Sequence, residues 1–317
     1  MFGICVESSN LRGMGHFFRG LVIRDYLIKQ GEECLIVINN DEVSVRLLKK
    51  RNIRYAIADY SDETSDWEGL LTEKFHIGIW ILDKFETSVA MARHMKNHGA
   101  LLVTIDDVGE GSELADVCFG GLLLKNLRGR HIYQGNDYIV LNPEISLYRR
   151  KRTELKRILV TLGGSDTYGV TNIVVNILKN FGYTADVVIG PNFNLKKELA
   201  DVADSRFTIY DTVPSLIKFM YGYDFVIAGG GVTCVEANAS GLPCLIIANE
   251  PHEIDTGIYV EKFGGARFAG YYRKMRKSAF QLKSLPISEM SDKAMQTFHL
   301  NGMENIYRVI KAHENAG

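Results

Sequence analysis

A glycine-containing loop after the first apolar segment carries the residue with the clearest chemical potential, His16. Gly13 and Gly15 precede it and would let the backbone come close to a ligand. The residues after the loop have helical periodicity, so His16 is predicted in the first helical turn. A helix N-terminus disfavours imidazolium and keeps the ring neutral, able to accept a proton. Arg19 is predicted on the same helix face and could pair with a phosphate. A helix cap without chemistry explains His16 about equally well at this stage.

This loop departs from the dinucleotide-binding pattern in two places. Phe18 stands where that pattern requires a third glycine, and Asn39 and Asn40, rather than an acidic residue, follow the next predicted strand. Both departures argue against a nicotinamide cofactor, and no cofactor is expected. His94 and His98 are four residues apart, but the sequence offers no third ligand near them, so no metal site is predicted.

A second glycine-rich loop consists of Gly163, Gly164, Ser165 and Asp166. It lies between a predicted strand and a predicted helix, an arrangement that suits the oxygens of a pyrophosphate. Asp166 has an alternative role as the cap of that helix, in which case the loop serves only the turn.

A third loop and the helix after it provide further candidates for nucleotide binding. These are Gly229, Gly230, Gly231, Val232, Thr233 and Glu236. Three consecutive glycines allow a ligand to approach the backbone, and the N–H groups of the next helix would face a phosphate. Glu236, one turn into the helix, could accept two ribose hydroxyls. The alternatives are a tight turn for the glycines and a solvated helix face for the glutamate.

Acidic residues end two other predicted strands. Asp83 is the candidate for orienting a base, and Asp107 is a candidate for binding a substrate. Asn10, in the first glycine-containing loop, is a further candidate for binding a substrate. Capping and surface solvation are the alternatives for Asp83, Asp106 and Asp107, and they are the preferred explanation for Asp106.

These loops are positioned by strands that alternate with helices, a pattern that predicts doubly wound parallel sheets. The pattern pauses after Asp116 and restarts after a basic connection, which predicts one Rossmann-like domain over residues 1–152 and a second over 153–317. A terminal helix around Met303–Lys311 is a candidate to cross back to the first domain. Ligands of such sheets bind at the carboxyl ends of the strands, where all three glycine loops are predicted, and a cleft is expected between the domains.

The charge composition of the 317 residues argues against nucleic-acid binding. Lys and Arg number 37 and Asp and Glu 38, so the net charge is −1 and there is no global basic field for nucleic acid. The five cysteines are scattered, which favours buried free thiols in a reducing compartment. The first residues are predicted to form a strand, so no signal peptide is expected, and no apolar run reaches about 18 residues. A cytoplasmic location is therefore expected.

Taken together, the three loops resemble the UDP-sugar hydrolases of pseudaminic acid biosynthesis. The matching motifs are Gly13-Met14-Gly15-His16 with Arg19, Val160-Thr161-Leu162-Gly163-Gly164-Ser165-Asp166, and Gly229-Gly230-Gly231-Val232-Thr233 with Glu236 and Gly241-Leu242-Pro243. Those enzymes have the GT-B architecture of two Rossmann-like domains and are similar to the lipid II glycosyltransferase of peptidoglycan synthesis.

The resemblance implies a UDP-sugar substrate. UDP would bind to the loops at Gly163 and Gly229, with Glu236 on the ribose, and His16 would activate water to attack the anomeric carbon and expel UDP. Asp83 matches an aspartate of the family, but Phe85 replaces a family tyrosine. Because of that departure, the identity of the sugar is open, and so is the question whether water is the acceptor.

Two other functions stay open from the sequence. A GT-B glycosyltransferase would use His16 to deprotonate an acceptor hydroxyl, and the apolar and basic stretch 119–130 would suit a lipid-linked acceptor. Membrane contact is expected only in that case. The third possibility is an inactive protein that binds sugar nucleotides. The sequence identifies neither the nucleobase of the substrate nor the oligomeric state of the protein.

Overall fold

The computed structural model describes residues 1–8, 14–122, 125–164, 166–190 and 193–315. Two compact units make up the chain: unit 1 comprises Met1–Leu141 and Asn301–Gly317, and unit 2 comprises Asn142–Leu300. The sequence predicts the division between the two domains after residue 152.

Strands and helices alternate in both units. The strands are β1 (Phe2–Val6), β2 (Cys34–Ile38), β3 (Tyr55–Ile57), β4 (Ile79–Asp83), β5 (Leu101–Ile105), β6 (Val117–Gly120), β7 (His131–Gln134), β8 (Ile158–Thr161), β9 (Ala185–Val188), β10 (Phe207–Tyr210), β11 (Phe225–Gly229), β12 (Cys244–Ala248) and β13 (Ala266–Tyr271). The α-helices are α1 (Gly15–Lys29), α2 (Glu42–Lys50), α3 (Trp67–Phe75), α4 (Val89–Asn97), α5 (Ile145–Tyr148), α6 (Val170–Asn180), α7 (Lys196–Val202), α8 (Leu216–Met220), α9 (Val232–Ala239), α10 (Glu253–Glu261), α11 (Ile287–Thr297) and α12 (Gly302–Glu314). Short 3-10 helices cover Glu110–Leu114, Asn136–Tyr138, Tyr272–Lys274, Lys277–Phe280 and Leu282–Ser284.

Unit 1 contains a parallel sheet in the order β3-β2-β1-β4-β5-β6-β7. All residues of β1, β2 and β4 are buried, as expected for strands covered by helices on both faces. The strand order reverses direction between β1 and β4, and such a switch point is where ligands of these sheets bind. Val6 at the end of β1 is paired in register with Asp83 at the end of β4.

Unit 2 contains a second parallel sheet in the order β10-β9-β8-β11-β12-β13, and its switch point lies between β8 and β11. This is the strand order of a Rossmann fold. The predicted α/β class, with two doubly wound parallel sheets, is therefore confirmed.

The pause predicted after Asp116 is wrong. β6 begins at Val117 and β7 follows at His131, so the sheet of unit 1 continues. Both strands have only four residues, and β7 is an edge strand with mostly exposed side chains, so neither produces a long apolar run.

The C-terminal segment forms two helices, and the second, α12, packs within unit 1. Ile306 and Ile310 are buried in the same cluster as Phe17 and Leu21 of α1. The five cysteines are buried and unpaired, as predicted. In the described part of the chain, no helix combines the length and the apolar character that spanning a membrane requires.

Candidate functional site

The switch point of unit 1 brings His16 and Asp83 together. Helix α1 begins at Gly15, so His16 lies in its first turn, as predicted, and its side chain remains 25% exposed. Asp83 is the last residue of β4 and is fully buried. The Nδ1 atom of His16 lies 2.6 Å from Oδ1 of Asp83.

Arg19 and Asp106 complete this arrangement, which we call the His16 cluster (His16, Arg19, Asp83 and Asp106). Arg19, one turn after His16, donates from Nε to Oδ2 of Asp83 at 2.7 Å and from Nη2 to Oδ1 at 2.5 Å. Its Nη1 donates to Oδ2 of Asp106 at 2.5 Å. A bidentate contact of this kind fixes the orientation of the Asp83 carboxylate and stabilises its negative charge.

The charges of the cluster keep Asp83 ionised. Burial by itself would raise the pKa of Asp83, but the attraction of Arg19 and of His16 outweighs it, so the pKa is lowered. Burial by itself would also lower the pKa of Arg19, and the two aspartates reverse that effect and raise it. The cluster therefore holds a permanent carboxylate against the histidine ring.

This geometry selects one tautomer of His16. A neutral ring that donates its Nδ1 proton to Asp83 has a lone pair on Nε2, the state required of a general base. Among the residues that the structure describes, none forms a hydrogen bond with Nε2. The helix-cap alternative gains no support, because the His16 side chain bonds Asp83 rather than a backbone N–H of α1.

Arg19 does not have a free guanidinium for a phosphate in this structure, since its donors contact the two aspartates. Its contact with a substrate stays a prediction. Asp106 belongs to the cluster although the sequence favoured capping or solvation for it. The backbone N–H groups of Gly121 and Leu122, both 2.9 Å away, hold its Oδ1 atom.

The carboxylate of Asp107 is held by Thr87 and Gly109. Its carboxylate accepts hydrogen bonds from the Thr87 hydroxyl and from the backbone N–H groups of Thr87 and Gly109, at 3.1 and 2.8 Å. Burial raises its pKa to about 6. Its predicted role in substrate binding is untested, as is that of Gly15, where an added Cβ atom would have no neighbour within 4 Å. Asn10 and Gly13 lie outside the described residues.

In unit 2, the second glycine loop follows β8 beside the switch point. Gly163 has a φ of +99°, a conformation that favours glycine. Asp166 accepts hydrogen bonds from the N–H groups of Val170 and Thr171, both at 2.8 Å, and so caps the first turn of α6. The capping alternative describes what this carboxylate does here, and a nucleotide contact stays a prediction for Gly163, Gly164 and Asp166. Ser165 lies outside the described residues.

The third loop follows β11 on the other side of the same switch point. Gly229 ends the strand, Gly231 precedes α9, and Val232 and Thr233 form its first turn. A Cβ atom on Gly230 would lie 2.7 Å from the Cβ of Glu253. Close packing against α10 therefore explains one glycine of the three without any ligand.

Two residues that the sequence did not single out connect these loops. Asn249, just after β12, donates from its side chain to the Leu162 carbonyl at 3.0 Å. Glu253 accepts the N–H of Asn249 at 2.7 Å, and also those of Glu250 and Gly230. The buried Oδ1 of Asn249 has no partner among the described residues. Their position after a strand end, at the edge where the glycine loops lie, was the signal that could have identified them.

Glu236 faces no basic group or hydrogen-bond donor in the part of the chain that the structure describes. Burial, reinforced by the nearby Glu144, raises its pKa to about 7. A half-buried carboxyl group without a donor suits the hydroxyls of a ribose, because their O–H groups would satisfy it. The solvated-face alternative is less consistent with this burial.

Comparisons with known proteins agree with the sheet topology. No family model matches the sequence. The chain is 23% identical over 269 residues to an uncharacterized protein of Methanocaldococcus jannaschii, covering 77% of this chain but only 54% of that protein. It is 22% identical over 279 residues to the spore coat polysaccharide biosynthesis protein SpsG of Bacillus subtilis, covering 80% and 79% of the two chains.

Solved structures resemble the whole chain. MurG of Acinetobacter baumannii superposes with a TM-score of 0.71 at 15% identity, over 98% of this chain and 99% of that chain. The chain has the GT-B fold. The glycosyltransferase VinC, solved in complex with dTDP, gives a TM-score of 0.67 at 12% identity over 99% of both chains. At these identities the likeness establishes the fold, and the chain spans about half the length of its archaeal relative.

Proposed function

We propose that this GT-B protein is an enzyme that transfers a glycosyl group from a nucleotide-sugar donor to an acceptor hydroxyl. Unit 2 binds the nucleotide and His16 of unit 1 is the general base. The observation that carries the proposal is the His16–Asp83 contact of 2.6 Å at the switch point of unit 1, with Asp83 fixed by Arg19.

The proposed reaction uses this geometry in one step. Nε2 of His16 takes the proton of the acceptor O–H while the acceptor oxygen bonds to the anomeric carbon. The bond from that carbon to the phosphate oxygen breaks, and the nucleoside diphosphate leaves with the electron pair. Asp83 stabilises the imidazolium that forms, by the logic of a carboxylate-oriented histidine. A positioned base of this kind contributes about 10²–10⁴-fold to the rate.

In unit 2, the proposal assigns the diphosphate to the loops at Gly163 and Gly229 and the ribose to Glu236. The two loops follow β8 and β11, which border the switch point. Helix α9 begins directly after the glycines, so the N–H groups of its first turn are available to an anion. VinC, with the same fold, was solved with dTDP, and SpsG is named for polysaccharide biosynthesis; both fit a nucleotide-sugar substrate.

Hydrolysis of a UDP-sugar in pseudaminic acid biosynthesis is the second candidate, with water as the acceptor. It is favoured by the loops that resemble those hydrolases and by Asp83, which matches a family aspartate and contacts His16. Phe85 in place of the family tyrosine weighs against it. The same base and the same leaving group serve both reactions, so only the acceptor distinguishes them.

The first experiment measures binding of UDP, dTDP, CDP and GDP by calorimetry. One of them should bind, and Glu236→Gln should weaken the binding while the protein stays folded. Absence of binding by all four would contradict the proposal.

The second experiment measures release of the nucleoside diphosphate from nucleotide sugars, including UDP-activated diacetamido-trideoxy-altrose, with and without hydroxyl acceptors. Release that requires an acceptor and is lost in His16→Ala supports the transferase. Release without an acceptor, also lost in His16→Ala, supports the hydrolase instead. Binding with no turnover of any donor would indicate an inactive sugar-nucleotide binding protein.

A further inference from the structure

A second cluster of chemically active side chains lies in unit 1 between α3 and α4, and it does not include any residue of the His16 cluster. Asp66 immediately precedes α3 and Glu68 lies in its first turn, whereas His94 is near the end of α4 and His98 follows it. In the sequence, no third ligand is evident near the two histidines. The fold supplies it, because the two helices pack against each other.

The distances between these side chains are close to those of ligands around one metal ion. Nδ1 of His94 lies 3.1 Å from Oε2 of Glu68 and 3.8 Å from Oδ1 of Asp66. One ligand atom from each of the three residues falls within 4.8 Å of the others. A tetrahedral zinc ion with bonds of about 2.0–2.1 Å separates its ligand atoms by roughly 3.4 Å. The two distances from His94, 3.1 and 3.8 Å, differ from this separation by a few tenths of an ångström.

Among the described residues, the carboxylates of this cluster have histidines rather than Lys or Arg as their partners. Glu73 of α3 also belongs to this group, because its Oε1 lies 3.5 Å from Nδ1 of His98. In the part of the chain that the structure describes, no Lys or Arg forms an ion pair with Asp66, Glu68 or Glu73. Glu68 is only 3% exposed, so its carboxylate is largely removed from water. The imidazoles of His94 and His98 are the neighbouring groups instead, at 3.1 Å from Glu68 and 2.9 Å from Asp66. A divalent cation would compensate this concentration of negative charge.

Asp66 is held in place by its surroundings. Its Oδ1 accepts the N–H of Gly69 at 2.9 Å, and its Oδ2 lies 2.9 Å from Nε2 of His98. A Cβ atom on residue 69 would lie 2.1 Å from that histidine nitrogen and 2.4 Å from Oδ2 of Asp66, so the glycine makes room for the pair. His98 thus orients a carboxylate in the way that outer histidines and carboxylates orient metal ligands.

We propose that Asp66, Glu68 and His94 bind a divalent transition-metal ion, with Zn²⁺ the best match, and that the ion links α3 to α4. Imidazole with carboxylate oxygens is a donor set that zinc accepts, and water would complete the tetrahedron. The Asp66 side chain is 47% exposed, so water reaches that side of the cluster. His98 is a positioning residue that acts through Asp66.

The experiment uses the full, tag-free chain after removal of metals by a chelator. Calorimetry with Zn²⁺ and the visible spectrum after addition of Co²⁺ are recorded for the parent protein and variants. We expect one ion per chain and the absorption bands of tetrahedral cobalt. His94→Ala and Asp66→Asn should abolish both signals, and His98→Ala should weaken binding by about 10–100-fold, the usual effect of losing an outer-shell partner.

His131→Ala is the matched control, because His131 is an exposed histidine of the same unit and lies in β7. Its binding should equal that of the parent protein. Failure of the parent protein to bind Zn²⁺ saturably would overturn the proposal, since the cluster would then consist of ordinary ion pairs. Equal binding by Asp66→Asn, whose fold is checked by circular dichroism, would overturn it as well. Neither outcome involves turnover, so the proposed function is tested separately.

Discussion

Asp83→Asn is the substitution that tests the proposed base most directly. The asparagine retains the shape of the side chain but replaces a carboxylate oxygen with an amide that can donate a hydrogen bond. If that amide donates to Nδ1 of His16, the ring proton moves to Nε2, and the atom that should accept a proton becomes a donor.

The contact between Asp83 and His16 sets an upper limit on the loss of turnover. Asp83 acts only through His16, so its loss can remove at most what the base contributes, about 10²–10⁴-fold in turnover or about 2.7–5.4 kcal/mol of barrier. Stability should fall as well, because Arg19 loses its contacts with Asp83. Leaving a buried charge entirely unpaired costs about 3–5 kcal/mol. The remaining contact of Arg19 with Asp106 at 2.5 Å should keep the cost below that range.

The assay compares release of the nucleoside diphosphate by Asp83→Asn, by His16→Ala and by the double variant. Because the two residues act as a unit, the double variant should lose no more activity than the worse single variant. Asp116→Asn is the control, since it removes a carboxylate of unit 1 that pairs with Lys96 at 2.6 Å. Urea unfolding confirms that each variant is folded. Turnover of folded Asp83→Asn close to that of the parent protein would refute the assignment of the base.

Three further predictions concern other parts of the structure. Gly230→Ala should lower the free energy of unfolding by about 1–3 kcal/mol in urea titrations, because its Cβ would press on Glu253; Gly231→Ala, with its nearest neighbour at 3.6 Å, is the control and should change little. The affinity for a nucleotide sugar should weaken roughly tenfold between about pH 8 and about pH 6, because the carboxylate of Glu236, with its pKa of about 7, takes up a proton. Glu236→Gln should remove this pH dependence of the affinity. If calorimetry shows the same pH dependence in Glu236→Gln as in the parent protein, the ribose contact is contradicted. Burial raises the pKa of Asp107 to about 6, so its folded form binds a proton before the unfolded form does. Stability should therefore rise more steeply in the parent protein than in Asp107→Asn as the pH falls from about 7 to about 5, and parallel urea-unfolding curves would exclude the effect.

Much of the candidate site could be predicted because its residues are close in sequence to strand ends. Glycine loops after apolar runs, and a histidine in the first turn of the next helix, are local patterns. Parallel strands bring their carboxyl ends to one edge of a sheet, so Asp83 could be placed near His16 from the alternation alone. The same reasoning failed at β6 and β7, where four-residue strands leave no clear pattern.

The sequence alone determined that the chain is an α/β protein with its glycine loops and His16 at the ends of strands, because periodicity and turn residues are local properties. Only the tertiary structure decided which side chains meet. It assigned Arg19 to Asp83 and Asp106 rather than leaving it free, turned Asp107 toward Thr87, and brought His94 to Asp66 and Glu68 across two helices. Those contacts join residues between 20 and 87 positions apart, and the direction of a side chain at that separation depends on how the elements pack.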